Sequence, residues 1–268
     1  MNDSINHFSE LVFVDVETTG LLYQPESRIV EISSSVWNHS GHCERNTSLI
    51  NPLEPIPEIY TQIHGINDDM VRDAPTFLEY WRDREDLFKG RTVIAHNLSF
   101  DMGMINKELA RLEKPPLGNA GIDTVPILRK LLPDQKNHKL QNLAESLGVI
   151  HTRKHRAEDD VLALEQILSI AMGFSVEILT GQIGIDLSLW GGISSHRYFK
   201  DVIFWAQRND SEVKIVLVKR DTQNAGEPFH LESVKVEKPA FTAKHLGEYR
   251  EKGKYPISWS EVYRIEHQ

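Results

Sequence analysis

The chain has 268 residues, 40% hydrophobic and 26% charged, with a formal net charge of −9 and a single cysteine; this suits one large or two ordinary soluble domains, and no run approaches the ~20 apolar residues of a membrane span. Residues 1–173 hold 17 Lys and Arg against 26 Asp and Glu, a net of −9, and residues 174–268 hold 13 of each, which argues against broad duplex binding through a basic face. Cys43 has no partner for an internal disulfide, and "MNDSINHFSE" has neither the basic nor the apolar region of a secretory signal, so a reducing, cytoplasmic setting without membrane association is expected.

The first element is a strand, "ELVFVDVET", followed by "RIVEISSSVWN" (28–38) and "CERNTSLINP" (43–52) around the turn signal "HSG". Short connections predict antiparallel pairing, with Cys43 a small, partly buried strand residue. Pro52, Pro55 and Pro57 then interrupt the pattern, and Asn67 is placed as a helix N-cap. Residues 76–89 read as a helix, 91–97 as a short buried strand, and 99–113 as a helix with Ser99 as its N-cap. "GIDT" closes a short strand, 139–147 form an amphipathic helix stopped by Gly148, and 157–172 form a helix ending at Gly173. A three-strand meander followed by helix-linked parallel strands predicts a mixed sheet covered by helices, an α/β domain over residues 8–173. Beyond it, "DVIFWAQ", "EVKIVLVKR" and "FHLESVKVE" read as strands of a smaller β-rich module over 174–268. Trp37, Trp81, Trp205 and Trp259 are expected in the core.

The first strand carries Asp15 and Glu17 two residues apart, hence on one face. Adjacent carboxylates repel, and burying them is unfavourable. Either one is protonated, or basic side chains neutralise them, or they hold a cation. Asp101 lies one turn into the helix after strand 91–97, Asp160 in the first turns of helix 157–172, and His155 just before that helix. If the four acids converge, two Mg²⁺ or Mn²⁺ ions would relieve their repulsion. Ions ~3.5–4 Å apart suit phosphodiester cleavage, with a histidine taking a proton from water.

"DVETTG", "AHNLSFD" and "HRAEDD" follow in order the three motifs D-x-E-T-T-G, H-N-x-x-F-D and H-x-A-x-x-D. Over about residues 10–172 the chain resembles the DEDD (DnaQ-like) 3′→5′ exonucleases, histidine-containing branch; His155 lies five residues before Asp160, where the tyrosine branch uses four. The resemblance implies a ribonuclease-H-like five-stranded mixed sheet. It also implies Asp15, Glu17, Asp101 and Asp160 as ligands of two Mg²⁺ or Mn²⁺ ions and His155 as general base. Thr18 would approach the terminal nucleotide, and His64, His96, Asn97 and Phe100 would line the pocket for the last bases. The expected substrate is a single-stranded 3′ end, DNA before RNA, in proofreading or repair. An RNA-trimming enzyme and a tethering subunit with a vestigial nuclease fold are the alternatives.

Arg153, Lys154 and Arg156 adjoin His155 and are read either as phosphate-neutralising or as a solvated loop. Asp159 is read as a helix-start charge and Asp123 as a strand-end turn residue. "DLSLW" (186–190) is similar to a sliding-clamp-binding pentapeptide of replicative family members. Leu187, Leu189 and Trp190 would anchor it, and a polymerase partner would go with it; a core segment is the competing reading.

Overall fold

The computed structural model describes residues 10–38 and 41–172, positions 202, 205, 206, 208 and 209, and three strands at 213–220, 229–236 and 262–267. Strands β1 (Glu10–Thr18), β2 (Ile29–Asn38), β3 (Gly41–Leu49), β4 (Thr92–Ala95) and β5 (Gly121–Asp123) form one sheet. Their order is β3-β2-β1-β4-β5, antiparallel from β3 to β1 and parallel from β1 to β5.

β1 is central and apolar on both faces because helices cover both. Val12, Val14 and Val16 pack with α3 (Phe77–Arg84) and α4 (Leu98–Arg111). Leu11 and Phe13 face α5 (Thr124–Leu131), α6 (Leu140–Leu147) and α7 (Ala157–Met172). The period of two therefore places Asp15 and Glu17 on the α7 side, continuing the face of Leu11 and Phe13. Of the two short helices between β3 and α3, Asp68–Val71 follows the expected N-cap Asn67, whereas Glu58–His64 has no counterpart in the sequence reading, nor has α5. Glu58–His64 has seven residues and begins directly after Pro57, too short for a periodic signal.

Several expected boundaries shift. β3 begins at Gly41 rather than Cys43 and ends at Leu49, and Cys43 is exposed rather than partly buried, because β3 is an edge strand. α3 ends at Arg84 and passes into a 3₁₀ turn, Glu85–Leu87. Asn67 caps its helix by accepting from the Met70 N–H, and Gly148 ends α6 with a left-handed backbone, both as expected. Ser99 is not a cap: α4 starts at Leu98 after Asn97, whose φ of 77° lies in the left-handed region that Asn tolerates better than Ser.

The segment "DVIFWAQ" is not a strand at its described positions. Val202, Trp205 and Ala206 are helical, with Val202 and Ala206 buried against the α3–α4 side of the sheet. Positions 202 and 206 share a helical face, and so short an apolar run does not distinguish helix from strand. The other two expected strands are present as β6 (Val213–Arg220) and β7 (Phe229–Val236). With β8 (Val262–His267) they form a three-stranded antiparallel sheet in the order β7-β6-β8. Trp81 is buried, while Trp37 and Trp205 pack at the core margin. Residues 186–190 and Trp259 lie outside the described residues.

Candidate active site

β4 pairs with β1 only from Leu11 to Phe13. Past that point the β1 edge has no strand beside it among the described residues. The Val16 N–H instead donates to Asp101 Oδ1 at 3.1 Å, so the first turn of α4 substitutes for a missing strand. On the other edge Asp15 and Glu17 stay paired with Ser33 and Glu31 of β2, and a register shift follows between Glu17 and Thr18. α7 delivers Asp160 to the same spot from the opposite layer. Oxygens of Glu17 and Asp160 and a ring nitrogen of His155 lie within 4.8 Å of one another.

Glu17, Asp101 and Asp160 are buried, at 9%, 3% and 8% exposure. Desolvation and mutual repulsion act in the same direction on all of them. Burial, and then the charges of Asp101, Asp160 and Glu17, push Asp15 well above the carboxylate range. Glu17 is pushed up to about 9, by burial first and then by Asp160. Burial raises Asp101 against the opposing Val16 N–H bond, and raises Asp160 against His151 and His155. Of the three ways to reconcile Asp15 and Glu17, neutralisation by basic side chains is not the one used: among the described residues no basic group forms an ion pair with Asp15, Glu17 or Asp101. Protonation or a cation remains. An all-oxygen donor set of this charge fits hard divalent ions.

The basic residues nearby are committed elsewhere. Arg156 forks onto Glu31 at 2.5 and 3.0 Å, and the same carboxylate accepts the Ala157 N–H at 2.9 Å. Arg153 donates to Asp159 from its guanidinium at 2.8 Å and from its backbone N–H, also at 2.8 Å. Neither arginine is the free phosphate-binding group that sequence reading allowed; Asp159 is the helix-start charge expected of it, in the first turn of α7, and also anchors the loop through Arg153, while Lys154 is exposed. Between them His155 is exposed with φ 59°, a left-handed backbone that burdens a non-glycine residue by roughly 1–2 kcal/mol.

The remaining motif residues lie around this cluster. Thr18 is buried and donates from Oγ1 to the Gly20 carbonyl at 2.7 Å. His64 is buried; its Nδ1 accepts from the Ile66 N–H at 3.0 Å, and its Nε2 has no hydrogen-bond partner among the described residues. Burial lowers its pKa and keeps it neutral. His96 bonds Thr124 Oγ1 and the His138 carbonyl through its two ring nitrogens, at 2.9 and 2.7 Å. Only its ring faces can meet a ligand. Asn97 is exposed, its N–H donating to Asp123 Oδ1, and Phe100 is half-buried against the core. Asp123 also caps α5, the turn role expected of it.

Two contributors were missed. Glu31 reads as one polar residue in an apolar strand, and its role appears only through Arg156, 125 positions away. His151 is hydrogen-bonded through Nε2 to Asp160 Oδ1, with Nδ1 buried and lacking a partner among the described residues. The one available signal was its spacing, nine residues before Asp160 across a loop.

An exonuclease family model, RNase_T, matches residues 12–168. The chain is 38% identical over 148 residues to the DNA polymerase III subunit epsilon of Treponema pallidum (strain Nichols), covering 54% of this chain and 68% of that protein. It is 34% identical over 157 residues to the PolC-type DNA polymerase III of Bacillus cereus, of which it spans only 11%. Among solved structures, E. coli Exonuclease I in complex with a dA16 oligonucleotide aligns with a TM-score of 0.54 at 16% identity, over 78% of this chain and 48% of that one. The nuclease domain of 3′hExo, a DEDDh family member bound to rAMP, aligns with a TM-score of 0.53 at 17% identity, over 63% and 94%. At such identities these structures show the shared ribonuclease-H-like fold.

Proposed function

The chain belongs to the exonuclease family, and from that premise we propose that it is a metal-dependent 3′→5′ exonuclease that trims single-stranded DNA 3′ ends and releases 5′-mononucleotides. The observation that carries this is the convergence of Asp15, Glu17, Asp101 and Asp160, three of them buried and all with raised pKa, beside an exposed histidine. A fold stores such repulsion where something relieves it in use.

Asp15, Glu17, Asp101 and Asp160 would hold two Mg²⁺ or Mn²⁺ ions, which supply activation of the attacking water and neutralisation of charge on the leaving 3′ oxygen. His155, at the exposed margin of the group, would take the proton released by that water, a task that contributes ~10²–10⁴-fold. Asp101 is oriented by the Val16 N–H and Asp160 by His151. Thr18, His64, His96, Asn97 and Phe100 would bound the pocket for the terminal bases, His96 as a wall and Asn97 through an amide that makes no capping bond to α4.

DNA stands before RNA because the polymerase III proteins to which the chain is similar are DNA polymerase components. The same likeness supports a proofreading role beside a polymerase, in the cytoplasm. Among the described residues no helix is long and apolar enough to cross a membrane. We assign the nuclease to residues 8–173 and partner binding to 174–268, with Leu187, Leu189 and Trp190 as the clamp-facing anchors.

The test is a gel assay of end-labelled single-stranded DNA and RNA with Mg²⁺ or Mn²⁺, wild type beside Asp15→Ala. Shortening from the 3′ end that EDTA and Asp15→Ala both abolish is expected. Faster shortening of RNA would move the substrate to RNA. A folded wild-type protein that shortens neither polymer overturns the reading.

A further inference from the structure

Two ion pairs flank His155, and each ties its loop to a different element. On one side Asp159, on the first turn of α7, receives both the backbone N–H and the guanidinium of Arg153. On the other, Glu31 of β2 receives the Arg156 fork and the first N–H of α7. Only Lys154 and His155 lie between the two arginines, both exposed. His155 is held with φ 59° and a ring nitrogen within 4.8 Å of oxygens from Glu17 and Asp160. An exposed, left-handed histidine has no packing of its own to keep it there.

In the Glu31 pair the carboxylate is buried and the arginine half-buried, and the pair doubles as an anchor of the helix start. The Arg153 pair differs. The arginine side chain is 54% exposed, so its contribution to global stability is small. Three hydrogen bonds converge there on one carboxylate, including the backbone bond that sets the course of the turn. Such a pair specifies geometry more than it adds stability.

We propose that Asp159 and Arg153 are positioning residues, a clasp that holds the 151–156 turn so that His155 faces the acid cluster. The inference rests on the nuclease reading above. The clasp leaves the four acids in place, so its loss acts on the rate of cleavage and not on substrate affinity. Displacing a reacting group by about 1 Å is worth up to ~100-fold, and a loss of kcat of about 10- to 100-fold with little change in KM is expected for Asp159→Asn.

The decisive measurement is a double-mutant cycle on the full chain, in single-turnover hydrolysis of an end-labelled single-stranded DNA with Mn²⁺. Wild type, Asp159→Asn, His155→Ala and the double variant are compared. If Asp159 acts through His155, its substitution loses its effect once His155 is alanine. Arg153→Gln breaks the same pair from its exposed side and should reproduce the loss if Asp159→Asn folds poorly. A loss that persists in the His155→Ala background assigns Asp159 to Asp160 or to the fold at large and overturns the clasp. So does full activity in both Asp159→Asn and Arg153→Gln. Wild-type protein without hydrolysis overturns the nuclease reading and the clasp with it.

Discussion

Glu17 and Glu31 face each other across β1 and β2, and only one of them has a cation: Arg156 forks onto Glu31, while no basic side chain among the described residues forms an ion pair with Glu17. The strand register thus separates two adjacent carboxylates by partner. One becomes a structural tie to α7. The other, pushed up to about 9 from an ordinary 4.5, is left for a ligand.

The stability of the metal-free protein should therefore fall with rising pH. Between 4.5 and about 9 Glu17 holds its proton when folded and loses it when unfolded. The folded state binds more protons in that window, so this group's contribution is complete below 4.5 and is lost as pH climbs through about 9. Asp15, Asp101 and Asp160 shift in the same direction. Thermal melts in EDTA should show a lower midpoint at about pH 9 than at about pH 6, and Mg²⁺ or Mn²⁺ should raise the midpoint more at the higher pH. Equal metal-induced shifts at the two pH values would contradict a carboxylate cluster as the binding site.

Asp101→Asn separates the two duties of that side chain. The amide oxygen can still accept from the Val16 N–H, while one charge leaves the cluster. In EDTA near neutral pH the variant should melt higher than wild type, and hydrolysis should fall by at least the roughly 100-fold that loss of a metal's outer-shell partner brings. Melting curves and the gel assay on one preparation check both. A variant that melts lower would show the bond to Val16 to matter more than the repulsion.

His151 should tune metal affinity through Asp160. His151→Phe fills the volume but cannot donate to Asp160 Oδ1, and should weaken Mn²⁺ binding by about 10- to 100-fold. His151→Gln, which keeps a donor, should fall between. Calorimetric titration of the protein with Mn²⁺, without nucleic acid, reads this directly.

Glu165 provides a control remote from the chemistry. It is buried on α7 and accepts from Trp37 Nε1 and from Arg45, each at 2.8 Å. Glu165→Ala strands the Arg45 guanidinium and leaves Trp37 Nε1 only its bond to Ser35 Oγ at 3.0 Å, and should destabilise the fold by about 3 kcal/mol, read by urea titration. kcat on single-stranded DNA below the melting range should stay within about twofold of wild type.

The places of the four candidate acids could be read from the sequence because motif and element coincide: a strand's period of two puts Asp15 and Glu17 on one face, and the starts of α4 and α7 carry Asp101 and Asp160. What escaped were pairings over long separations. Glu31 with Arg156, Arg45 with Glu165 and Arg28 with Glu108 are each set by tertiary packing, and a lone charge in a strand carries no mark of its partner. Ser99 seemed a better cap than Asn97 because the left-handed turn between β4 and α4 is a property of backbone geometry, not of composition. The helical positions Val202, Trp205 and Ala206 stand where a strand is expected because an apolar run of that length suits either.

The last of the five clustered side chains to be synthesised, Asp160, arrives on α7, after every strand of the main sheet has been translated. A ribosome-bound chain that has emerged only through β5 already displays Asp15, Glu17 and Asp101 but lacks both Asp160 and His155. On the proposed reading, hydrolysis would wait for the closing helix to dock, and a product terminated before α7 would lack the complete ligand set.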